Sequence, residues 1–183
     1  MNLLNTILIF AAAFVAVFGE AVFPGVRHLL GAQVDLLPVV MVYAALNASL
    51  TTVALLAIFG GLWLDALSAN PLGITILPLF VAGLAIFLQR EFILRGLSFA
   101  QMVLGAAASA VVPALTVLLL LTVGKEPLLG WGSLWQWLVM TAGGAVATPI
   151  FFALFSWCNH ALGYQPRKET SFRSDREILR GRN

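Results

Sequence analysis

"LLPVVMVYAALNASLTTVALLAIFGGLWL", residues 36 to 64, runs for 29 residues without a charge. Whether it is helix or strand, and one crossing or two, decides the fold of the chain. Membrane strands are about 9 to 11 residues long and alternate in polarity, and this run does neither. Open strands would leave backbone groups unsatisfied in lipid, so helices remain. A bilayer core of about 30 Å takes about 20 apolar residues, so the run is long for one span and short for two. "LNASLTT" (46–52) places an Asn, a Ser and two Thr at its middle. That break predicts a short helix over 36–47, a tight turn, and a second helix over 51–66. One long tilted helix is the competing reading.

The rest of the chain is punctuated in the same way. No charge precedes Glu20, and uncharged runs cover 66–89, 96–124 and 127–166. They predict helices over 3–22, 72–90, 98–123 and 134–161. The fold class is therefore all-α, a polytopic membrane protein of six transmembrane helices, or five if 36–64 is one helix. Composition agrees: 61% of the 183 residues are hydrophobic and 10% charged, with a mean hydropathy of +0.98. A soluble domain carries about 25% charged residues to solvate its surface. The first helix lacks a basic leader and an A-x-A-like cleavage site, and reads as retained.

Basic residues favour the cytoplasmic side of a membrane. With six helices and an inner N-terminus, Arg90, Arg95 and the six basic residues of the tail fall inside, while Arg27 and Lys125 fall outside. Five helices would place the N-terminus outside and Arg27 inside. The charge rule separates the two weakly, and the polar midpoint at 46–52 favours six. A transmembrane domain over 1–164 then precedes a charged cytoplasmic tail over 165–183, held near anionic lipid. The basicity is local to that tail and does not point to nucleic acid.

Small residues let helices approach in lipid. "GAAASAVVPA" (105–114) and "TAGGAVATP" (141–149) offer Gly105 with Ser109, and Gly143 with Ala147, for intramolecular packing. Trp131, Trp135 and Trp137 at a helix entrance read as an interfacial aromatic belt. The single cysteine, Cys158, excludes an intrachain disulfide. His28 and His160 fall near opposite faces and cannot share a metal. No phosphate loop or paired-acid array is present, so the sequence points away from an enzyme and implies no cofactor.

What remains is one polar cluster toward the outer leaflet: Glu20, Arg27, His28, Asp35 and Asp65. It could be an open ligand cavity or a docking face, although each residue taken singly is most simply read as a solvated loop end. Asp65 lies in "GLWLDALSANPLG" (61–73), where Ser68, Asn70, Pro71 and Gly73 supply turn chemistry. Pro71 suits the first position of the next helix. A carboxylate at the C-terminal end of a helix opposes the helix dipole by about 0.3–1 kcal/mol. Asp65 is therefore expected to be held, either by Arg27 or by backbone N–H groups after Pro71, so that it fixes the turn.

Two segments, "VDLLPVVMVYAAL" (34–46) and "GGLWLDALSANPLG" (60–73), resemble in order and separation the helix opening and the turn of the rod shape-determining protein MreD family. Val34 stands where that family often has proline. The resemblance implies a non-catalytic scaffold of the bacterial inner membrane with both termini cytoplasmic. It would act in the cell-elongation (rod) complex beside MreC, the MreB filament, RodA and a class B penicillin-binding protein. It also implies a fold similar to the substrate-binding subunits of energy-coupling-factor transporters, which makes a vitamin-binding uptake subunit the alternative.

Overall fold

The computed structural model describes residues 3–22, 31–68, 70–92, 98–125 and 130–161. Its regular structure is six helices, with no strand among the described residues: α1 (Leu3–Val22), α2 (Leu37–Asn47), α3 (Leu50–Leu67), α4 (Ile76–Gln89), α5 (Ser98–Thr122) and α6 (Trp131–Ala161). The 36–64 run is thus two helices. Ala48 and Ser49 are extended, and the Ser49 hydroxyl accepts the Thr52 N–H at 3.3 Å, capping α3. Ser49→Ala should cost about 1 kcal/mol, read as a lower thermal unfolding midpoint in detergent. An unchanged midpoint would mean that the cap does not hold the break.

The hairpin geometry follows from which residues meet. Leu37 packs on Gly60 and Met41 on Gly83, and the Arg90 guanidinium donates to the Ala48 carbonyl at 3.2 Å. Helices α2, α3 and α4 therefore run alternately up and down. The Tyr43 hydroxyl, near the end of α2, donates to Asn5 in α1 and accepts from Asn159 in α6. The first turn of α1 and the last turns of α6 accordingly lie at one end of the bundle.

Helix α2 is the hub. Ten of its eleven residues, Leu37 to Leu46, are buried, because "LPVVMVYAALN" is apolar all round and such a helix belongs in a core. The other five surround it in the order α1, α3, α4, α5, α6, each touching the next and all touching α2. The outer faces of this ring carry Val15, Phe59, Leu88, Leu118, Ile150 and Trp157, all exposed. Apolar surface on that scale is covered by lipid or by a partner. Four helices, α1, α3, α5 and α6, are long and apolar enough to cross a membrane; α2 and α4 are shorter.

Helices α5 and α6 approach each other closely through glycine. A Cβ built on Gly105 would lie 2.5 Å from the Gly144 carbonyl oxygen, and one on Gly144 would lie 2.9 Å from the Gly105 carbonyl oxygen. Packing is intramolecular here, but the α6 face is Gly144 with Thr148, one residue round from the expected Gly143 with Ala147. Gly143 instead receives the Val34 side chain. Trp131, Trp135 and Trp137 are exposed, and α6 begins at Trp131 where the sequence predicted 134. The expected tail, Arg27 and His28 lie outside the described residues.

Candidate functional site

Asp65 is 1% exposed, two residues from the end of α3. Its Oδ2 accepts the Gly73 N–H at 2.8 Å and the Thr75 N–H at 3.1 Å, and its Oδ1 accepts the Thr75 hydroxyl. These donors lie ahead of α4, so one carboxylate ties the end of a helix to the start of the next. That arrangement bears on two expectations. Asp65 is not the solvated loop end that it could be read as singly: its donors are backbone N–H groups after Pro71, the second of its two expected partners. Pro71 is not the first residue of a helix. Residues 72–75 form a turn, with the Ile74 N–H on the Pro71 carbonyl at 3.3 Å. Gly73 has φ +91°, the left-handed backbone that a type II turn requires at its third position; it breaks the helix and turns two N–H groups toward Asp65. Ser68 donates from its hydroxyl to the Asp65 carbonyl at 3.2 Å and accepts the Asn70 N–H at 3.3 Å.

Asp35, 8% exposed, stands at the entry to α2. Its Oδ1 accepts the Leu37 N–H at 3.0 Å, and Glu20 Oε1 of α1 accepts the Leu36 N–H at 2.6 Å. Both carboxylates thus serve free N–H groups at the start of α2, where the helix dipole also favours negative charge. Burial pushes the Asp35 carboxyl up to about 6, against the Leu37 N–H, which pulls it down. Glu20 Oε2 is buried without a hydrogen-bond partner among the described residues. Neither acid matches the solvated loop end expected of it singly.

A cavity of about 340 Å³ lies over this point. Its origin is geometric: α2 has 11 residues and α3 has 18, about 16 Å against 27 Å, so the ring extends past its own hub. Glu20, Gln33, Asp35, Asn70, Thr75 and Gln136 supply its polar lining, with Leu64, Val112 and Pro113 among the apolar wall. Ser68 also lines it, while Asp65 stands behind the wall through Thr75. The segment before α2 is stapled to α6: the Gln33 N–H donates to Gln136 Oε1 at 3.0 Å, and Gln136 Nε2 donates to the Gln33 carbonyl at 2.7 Å. Glu20, Asp35 and Asp65 therefore gather at one end, as the sequence grouped them.

The sequence reading missed Gln33, Thr75, Thr116 and Gln136. A lone Thr or Gln in an apolar stretch was the available signal. A second, largely apolar groove of about 820 Å³ lies beside the cavity between α5 and α6. The two share Pro113, Val117, Gln136 and Met140. No group of three or more His, Cys, Asp or Glu able to hold a metal occurs among the described residues. In comparisons with protein-family models, characterised proteins and solved structures, nothing matches the chain.

Proposed function

We propose that this chain is a non-catalytic scaffold of the bacterial inner membrane, acting with MreC in the cell-elongation complex to determine cell shape and direct peptidoglycan synthesis. The observation that carries the reading is the turn of "GGLWLDALSANPLG". Its Asp65, Ser68, Asn70 and Gly73 form one hydrogen-bonded device, the use expected of a motif whose work is to hold a surface in shape. In this reading all six helices cross the membrane and both termini are cytoplasmic. The Asp65 end faces outward, in a fold similar to that of energy-coupling-factor substrate-binding subunits. MreC docks there and along the lipid-facing helices; RodA, the class B penicillin-binding protein and the MreB filament join directly or through MreC.

The test replaces the transmembrane segment of MreC with an unrelated one while leaving its soluble region intact. Copurification from native membranes should fall at least about tenfold, the loss of roughly 1.4 kcal/mol. Undiminished copurification would contradict docking inside the membrane. A second reading, a vitamin-binding subunit of an uptake transporter, draws support from the cavity over α2. It requires an ATPase partner and a vitamin that copurifies with the chain.

A further inference from the structure

Two carboxylates meet in the cavity over α2, and the α2 N-terminus does not balance them. A helix N-terminus carries about half a positive charge, against two acids. One Glu20 oxygen and one Asp35 oxygen bond to backbone N–H groups. Among the described residues Glu20 Oε2 is buried without a partner, and Asp35, more than nine-tenths buried, lines the cavity with its second oxygen unbonded. Buried carboxylates left in this state are costly unless they hold a proton or meet a cation that also donates hydrogen bonds. A bound cation favours the charged pair over the protonated one. No Lys or Arg lines the cavity among the described residues.

An ammonium group fits that need. It brings one positive charge and three donors, enough for Glu20, Asp35 and one neutral oxygen such as that of Thr75 or Asn70. A divalent metal fits poorly, since calcium takes six to eight oxygen ligands at short range and only two carboxylates are present. A volume of about 340 Å³ lies within the range of small-ligand sites. The apolar groove between α5 and α6 lies directly beside the cavity, with Pro113, Val117, Gln136 and Met140 lining both. A polar, acidic chamber beside an apolar trough has the two halves of an amphiphile site.

We propose that cavity and groove form one site for a membrane lipid whose headgroup ends in an ammonium, with the ammonium between Glu20 and Asp35 and an acyl chain along α5 and α6. The site goes beyond the scaffold reading and stands independently of it, because it needs no other protein.

The experiment is native mass spectrometry of the purified full chain, equilibrated with equimolar phosphatidylethanolamine and phosphatidylglycerol of identical acyl chains. The wild-type protein should retain one phosphatidylethanolamine in at least about tenfold preference, as expected for charge-assisted hydrogen bonds. Glu20→Gln and Asp35→Asn each keep an acceptor for the α2 backbone. Each should reduce the preference, and the double variant should abolish it with an unchanged unfolding midpoint. Decylammonium should displace the lipid at a concentration at least about tenfold lower than propylammonium, since even about two of its extra methylenes, buried in the groove, contribute that much. Equal retention of the two lipids, or a preference that survives in the double variant, overturns the proposal. A preference that appears only in Arg27→Gln overturns it too, by making the chain's own guanidinium the occupant. Propylammonium as effective as decylammonium would make the ligand a free amine and overturn the lipid assignment. None of these outcomes depends on MreC, so failure here leaves copurification untouched.

Discussion

Asp65→Ala will destabilise the chain by about 3–5 kcal/mol, while Asp65→Asn will cost roughly 1 kcal/mol. Alanine removes the acceptor for the Gly73 N–H, the Thr75 N–H and the Thr75 hydroxyl together. Thr75 and Asp65 are both buried, so water replaces these bonds poorly. Asparagine can rotate so that its amide oxygen keeps both N–H groups and its NH₂ donates to the Thr75 hydroxyl oxygen. It loses only the extra strength of bonds to a charged acceptor. Chemical or thermal unfolding in detergent measures the pair. Similar losses for Ala and Asn would mean that the charge matters and the bonding geometry does not. In cells, rod-shape complementation at normal protein abundance should fail for Ala; for Asn, a defect would assign the charge a role in docking, and full activity would leave Asp65 as the fastener of the turn.

The second large effect is expected at the α5–α6 contact. Gly144→Val places a branched side chain where even a Cβ would lie 2.9 Å from a backbone oxygen and against Ser109. Backbone cannot yield as a side chain can, so the helices must separate along their length. Overpacking of this kind costs about 1–3 kcal/mol or more, read as an unfolding midpoint lowered by roughly 5 °C or more. Gly105→Ala should act in the same direction, since its Cβ would lie 2.5 Å from the Gly144 oxygen. Gly19→Ala in α1 meets nothing within 4 Å and serves as the control. A midpoint unchanged in Gly144→Val would show that α5 and α6 do not pack through this face.

Much of the fold was legible where the sequence carried a local physical conflict. Ser49 in an apolar run could hardly sit mid-helix unnoticed, and it proved to be a cap. Asp65 opposed the dipole of its own helix and so required donors, and the backbone alternative to Arg27 is the pairing seen. Pro71 misled because its preference for a helix start is local. The capture of Gly73 and Thr75 by a carboxylate eight and ten residues earlier overrides it. The choice between Gly143 and Gly144 was illegible, because adjacent residues lie 100° apart on a helix whose faces are nearly equally apolar. The cavity was illegible for a different reason. It arises from the difference in length between α2 and its neighbours, and brings Gln33 to Gln136 across 103 positions. No periodicity in either segment encodes that meeting.

All of this presumes six crossings, with the Asp65 end outside and both chain termini inside. Single cysteines in a Cys158→Ser background test it most directly, with a membrane-impermeant thiol reagent applied to intact cells. Lys125→Cys, exposed at the Asp65 end, should label. Asn2→Cys, Ala48→Cys and Thr170→Cys should stay shielded until the membrane is opened. Labelling of Asn2→Cys in intact cells would contradict the account: with Thr170→Cys labelled as well the bundle would be inverted, and with Thr170→Cys shielded the chain would cross five times.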